Sequence, residues 1–240
     1  MNFLELSSMC YSPEMSFGFA LLGIGCILYL QNDTKRKYLS YVIFFYVLME
    51  LLQTVQYSLL NDCENTLNQL LTEVAFFLVI VQPLLWNFYF YSNSLPSEGG
   101  LFKVGMALAA AWIVFILLGR LLYGSSGTDP KKNSWIYGNK VCTYKGTSHL
   151  YWQWTSADLG ELNATFLMYM LVWFVPGLIS ATHFTSALFL MAGAALGAGL
   201  TAWWGDMREF ASIWCYISVP LLSLIIGKDI LHYTRGTGKA

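Results

Sequence analysis

Apolar blocks of about 17 to 24 residues recur along this chain between short polar breaks, and no other feature constrains its fold as tightly. At about 1.5 Å per residue, each block can cross a hydrocarbon core of roughly 30 Å. A segment inside such a core must satisfy its own backbone, so each block is predicted to be a helix. Seven spans result: Met15–Gln31, Tyr38–Leu60, Asn68–Tyr91, Leu101–Tyr123, Ala164–Ala181, Thr185–Trp203 and Phe210–Leu231. The fold class is all-α, a polytopic membrane protein with a seven-helix bundle in one domain over residues 1–240 and a long outer loop at Gly124–Asn163. Composition agrees: 11% of positions are charged, against roughly 25% in an ordinary soluble domain, and 56% are hydrophobic.

An odd number of spans places the termini on opposite sides. Lys35, Arg36, Lys37, Lys103, Lys228, Arg235 and Lys239 share one side if the C-terminus is cytoplasmic, as basic residues in short loops prefer, so the N-terminus is expected outside. Neither a cleavable leader pattern nor a compartment signal is evident, so plasma membrane and endomembrane both remain open. A net charge of −1 and no basic run longer than three residues argue against a nucleic-acid partner. Tyr11, Trp152, Trp154, Trp203 and Trp204 fall near the outer boundary and read as headgroup-level anchors.

Polar residues inside the second and third spans carry the functional question, because hydrocarbon rejects them unless they face a partner, a ligand or water. Glu50, Gln53, Gln56 and Tyr57 form one stripe at 100° per residue. Counted inward from Leu60, Gln56 lies about 6 Å, Gln53 about 10 Å and Glu50 about 15 Å deep. On the returning span, Asn68, Thr72 and Glu73 lie near the outer end, with Gln82 and Asn87 deeper. A short connection makes these two helices antiparallel neighbours, so the expected construction is an outward-facing pocket floored by Glu50. With no Lys or Arg mid-span to pair it, Glu50 is expected to be neutral and hydrogen-bonded to Gln82 or Gln53. The competing reading is that these side chains only join helices to one another.

Cys10, Cys63 and Cys142 fall on the outer side, and Cys215 lies two turns into the last span from it. Cysteines gathered on one side suggest an oxidising compartment, with Cys63–Cys142 as the leading pairing. Zinc held by Cys10, Cys63, Cys142 and His149 is the competing account, although a Cys-x6-His spacing matches no common zinc knuckle. His149 could otherwise act as a base at the pocket mouth, oriented by Asp158 or Glu161 and flanked by Trp152. No cofactor is predicted, and catalytic motifs such as a nucleophile elbow, a zincin helix or a phosphate loop are lacking. In the sixth span Gly193 and Gly197 stand four apart, a spacing that lets helices approach closely, either within the bundle or between copies or with a partner subunit. Pro83, Pro176 and Pro220 should kink their helices and free carbonyls that something must satisfy.

The ordered set Met9-Cys10-Tyr11-Ser12, Met49-Glu50, Gln53, Gln56-Tyr57, Asp62-Cys63, Asn68, Thr72, Gln82-Pro83, Asn87, Cys142, His149, Trp152 and Ile213-Trp214-Cys215 resembles an uncharacterised family of small multispanning membrane proteins of unknown function. Tyr11 departs from the tryptophan usual at that position. The resemblance implies that the outer cysteines, His149 and the polar residues of spans two and three belong to one site. It implies no activity. Three classes are therefore carried forward in this order: transport, permeation or binding of a small polar solute or ion; a membrane-embedded enzyme using outer-face His and Cys residues; and a structural or accessory membrane subunit.

Overall fold

A computed structural model describes residues 12–31, 37–123, 125–126, 137–157, 166–204 and 206–237. Seven α-helices lie among them: α1 Pro13–Leu30, α2 Lys37–Gln56, α3 Thr66–Asn93, α4 Gly99–Tyr123, α5 Phe166–Ile179, α6 Phe184–Trp204 and α7 Phe210–Thr237. Local chemistry sets several starts. Ser12 accepts from the Met15 amide while Pro13 takes the first helical position, where no N–H is needed. Asn65 likewise caps α3 by accepting from the Leu67 amide at 2.9 Å.

Five helices, α1 to α4 and α6, are long and apolar enough to cross a membrane. The fifth predicted span, Ala164–Ala181, is a shorter helix of 14 residues, whereas the last continues to Thr237 over 28 residues. The exterior is apolar, with Leu28, Phe44, Leu121 and Trp203 among many large exposed side chains, while Glu50, Gln53, Gln56, Asn68, Thr72, Gln82 and Asn87 are all buried. Large apolar side chains are thus numerous on the outside, and a set of polar ones is buried within an otherwise mostly apolar core.

Short connections make sequential helices run up and down. The α2 and α3 helices lie side by side, α1 rests on α2 and α7, α5 touches α3, α4 and α6, and α7 closes the ring against α2 and α6. Small side chains govern the close approaches. A Cβ on Gly23 would lie 2.3 Å from Val47 Cγ2, so α1 meets α2 nearly backbone to side chain. Ser16, Ala20 and Gly23 form the buried stripe of that contact. Gly193 and Gly197 face α7 of the same chain: a Cβ on Gly193 would meet Leu221 and Trp214, and one on Gly197 would meet Ile217.

The all-α expectation missed a β-structure. The described part of the long loop contains an antiparallel hairpin of β2 (Cys142–Lys145) and β3 (Leu150–Gln153), paired from Cys142 opposite Gln153 to Lys145 opposite Leu150. A shorter pair, β1 (Ser125–Ser126) with β4 (Ser156–Ala157), flanks it. The hairpin contacts α3 and α7 and closes one end of the bundle, here termed the hairpin end.

Candidate functional site

The site begins at the turn from α2 to α3. After α2 a 3-10 turn, Tyr57–Leu59, leads to Asn61, which adopts φ of 65°. Asparagine tolerates this left-handed conformation better than most residues. Its position lets the Asn61 amide donate to Thr143 O and its side-chain oxygen accept from the Lys145 amide. A disulfide from Cys63 to Cys142 fixes the same junction across 79 residues of sequence, so both sulfurs are withdrawn from the zinc alternative. The remaining thiol of that set, Cys10, lies outside the described residues, as do Asp158 and Glu161. Among the described residues no group of three His, Cys, Asp or Glu side chains is arranged to hold a metal ion.

Thr143 is the centre of the seat. The Asn68 side chain accepts from the Thr143 amide at 2.9 Å and donates to its carbonyl at 3.3 Å, imitating a neighbouring strand. Gln56 Nε2 donates to Thr143 Oγ1 at 3.0 Å, and Thr72 Oγ1 stands 2.7 Å from the same hydroxyl. Because Thr72 gives its own proton to Asn68 O at 2.7 Å, the order is fixed: Gln56 donates to Thr143, Thr143 to Thr72, and Thr72 to the backbone. Trp152 Nε1 donates to Gln56 Oε1 at 2.9 Å, and Trp154 Nε1 to Thr72 O at 2.7 Å. Gln56, Asn68 and Thr72 thus hold the hairpin rather than line an open pocket. Trp152 and Trp154 are buried on its underside instead of anchoring at an interface, while Trp203 is 83% exposed.

The far end of the hairpin is held by Glu209, an acid outside the polar stripes. Its carboxylate accepts from the backbone amides of Thr147, Ser148 and His149, and a Cβ on Gly146 would lie 2.3 Å from Oε1. Burial raises the Glu209 carboxyl above the ordinary carboxylate range, and these amides oppose the rise. His149 sits with its ring against Tyr57 and Tyr216, 5.9 and 5.2 Å between centroids. Burial pushes its imidazole down to about 4, so it is neutral at physiological pH.

Other predicted site residues are engaged elsewhere. Glu73 forms a two-pronged ion pair with Arg120, at 2.7 and 2.6 Å, and the guanidinium lies over Phe76. It faces away from the Gln53 and Gln56 stripe. Asn87 donates to Pro83 O at 2.8 Å and to Val172 O at 3.0 Å. Val172 O is the carbonyl four residues before Pro176, the one a proline leaves without its helical donor, so Asn87 supplies the donor that α5 lacks there. Gly105 leaves the space this requires, since its Cβ would lie 2.3 Å from Asn87 Oδ1.

Gln82 belongs to the α5 and α7 contacts. It accepts from the Tyr169 hydroxyl at 2.7 Å and donates to Cys215 Sγ at 3.4 Å. The expected bond from Glu50 to Gln82 or Gln53 is therefore not formed: both carboxyl oxygens of Glu50 and both amide atoms of Gln53 are buried without a hydrogen-bond partner among the described residues. The Ser16 hydroxyl of α1 faces Glu50 outside hydrogen-bond geometry, and it too has no other partner there. Ser16 is the fourth residue of α1, so Glu50 lies in the half of the bundle nearer the hairpin rather than at its middle. Three residues, about 4.5 Å of rise, separate Gln53 from Gln56 above it, and Glu50 lies another three residues below.

The class these features define is an apolar helical bundle with polar residues buried in its core, closed at one end by a disulfide-tied β-hairpin. Within that class the chain belongs to a family of unknown function (DUF5765), whose profile matches residues 14–234. It is also 25% identical over 244 residues to an uncharacterized protein, R287, of Acanthamoeba polyphaga mimivirus, covering 95% of this chain and 98% of that one. No solved structure matches it.

Proposed function

We propose that the protein is a multi-pass membrane protein, N-terminus outside and C-terminus cytoplasmic, that binds and passes a small polar solute or ion through a site at Glu50 and Gln53. One observation carries the reading: a carboxyl and a primary amide, fully buried on adjacent turns of one helix, have no hydrogen-bond partner among the described side chains. Leaving such groups unsatisfied costs several kcal/mol where the surroundings resemble hydrocarbon, more than helix joining returns. Helix-joining residues look different here, as Gln56, Asn68 and Thr72 all make the bonds that role requires.

The membrane reading draws on the apolar exterior, the five long apolar helices and Lys37 and Lys103, which lie near the starts of α2 and α4 at the end away from the hairpin. A disulfide at the hairpin end suits an oxidising outer compartment. The test is swelling of proteoliposomes in iso-osmotic polyols, amino acids and alkali salts. Uptake of at least one class should exceed that of protein-free vesicles and be abolished by Glu50→Gln. Rates equal to protein-free vesicles throughout, or unchanged by the substitution, would remove the proposal.

A further inference from the structure

The reading of Glu50 and Gln53 as a ligand site leaves the ligand's chemistry open, and the side chains around it narrow that choice. Every unpartnered side-chain acceptor there among the described residues is a hard oxygen: Glu50 Oε1 and Oε2, Gln53 Oε1 and Ser16 Oγ. Such oxygens suit alkali and alkaline-earth ions rather than zinc or copper, which favour imidazole and thiolate. Cys215, the thiol that lies near Glu50, is occupied by the Gln82 amide.

Charge then decides between one positive charge and two. The Glu73 carboxylate is taken by Arg120 and that of Glu209 by three backbone amides, which leaves Glu50 as the sole uncommitted acid among the buried side chains described. Once the Glu50 carboxyl gives up its proton on binding, one carboxylate surrounded by neutral oxygens is balanced by one positive charge; a divalent ion would leave a net charge in an apolar interior, at a cost of several kcal/mol. The hairpin also limits what the site can hold. Gln56, about 9 Å above Glu50 along α2, is occupied on both sides of its amide by Thr143 and Trp152, so a hydrated complex would have to displace those bonds.

We infer that Glu50, Gln53 and Ser16 together bind one largely dehydrated monovalent alkali cation beneath the hairpin. The inference rests on the ligand-site reading above and adds the class of ligand. Thermal unfolding of the full-length protein in lipid nanodiscs tests it, with lithium, sodium, potassium or rubidium chloride replacing N-methylglucamine chloride at constant ionic strength. A calcium arm and a panel of neutral sugars and polyols are run beside these.

A saturable rise in the midpoint is expected with at least one alkali ion. Gln53→Leu should weaken its apparent Kd by roughly tenfold or more, as loss of a ligand does. Glu50→Gln should remove the response, whereas Glu50→Asp keeps the charge, shortens the reach and should alter the order of preference among the ions. Equal midpoints in all salts, a response that survives Glu50→Gln, or a preference for calcium overturns the inference. Stabilisation by a neutral solute and by no cation also overturns it, yet leaves the ligand-site reading intact.

Discussion

At the scale of single residues, His149 makes the most direct prediction. In the unfolded chain its pKa returns to about 6.5, while burial holds it near 4 in the fold. Above pH 6.5 both states are neutral and His149 adds no pH dependence. As pH falls from 6.5 towards 4, the unfolded state takes up a proton that the folded state refuses, so stability is lost at up to about 1.4 kcal/mol per pH unit. Glu209 acts in the opposite direction, because its raised carboxyl takes a proton in the folded state first. The stability difference between wild type and His149→Gln, measured by denaturant unfolding, isolates the histidine and should shrink by up to about 3 kcal/mol between pH 7 and 4. A constant difference would show that the imidazole is not sequestered.

The hairpin is the informative element, because its seat consists of side chains that a hydropathy reading assigns to a binding site. Thr143 alone joins α2 and α3 through Gln56, Asn68 and Thr72, and the disulfide ties its strand to the turn between those helices. Cys63→Ser should lower stability by about 2 to 4 kcal/mol, the range typical of a native cross-link. It should also quicken protease cleavage just before β2, with Glu209 still holding the turn between the strands. Thr143→Val with the disulfide intact should cost about 1 to 3 kcal/mol, since it leaves the Gln56 amide unmatched in the interior. Unfolding midpoints and limited proteolysis read both outcomes. A Cys63→Ser protein with unchanged stability would mean that the polar seat suffices.

For the whole molecule, the central prediction concerns which end faces which compartment. Glu64 in the turn between α2 and α3 is exposed at the hairpin end, and Ser97 between α3 and α4 is exposed at the other. Over the wild-type background, a membrane-impermeant maleimide should label Glu64→Cys in intact cells. Ser97→Cys should react only after permeabilisation. The reverse pattern would invert the topology, and labelling of both in intact cells would refute a spanning bundle. Packing also bears on assembly, since Gly193 and Gly197 lie against α7 of their own chain, so the close-approach stripe of α6 serves the bundle itself.

Much of the helical plan was legible in the sequence, because long apolar runs leave the backbone no alternative but to bond within itself. The polar stripe of α2 was legible too, since a period near 3.6 fixes which residues share a face. The use of each member was not. Gln56, Asn68 and Thr72 look equivalent to Gln53 and Glu50 in the sequence, and only contact with Thr143, more than seventy residues away, separates anchors from unpaired groups. Glu209 gave no local sign of its grip on residues 147–149, and Asn87 none of its repair at Pro176, since both partnerships join distant segments. The β-prone run from Cys142 to Gln153, with its glycine-containing turn, was a signal available for the hairpin and overlooked. The sequence alone thus determined where helices form and which faces must be shielded, because both follow from local periodicity. Tertiary structure decided which polar groups are satisfied, because a hydrogen bond depends on what the fold brings within 3 Å.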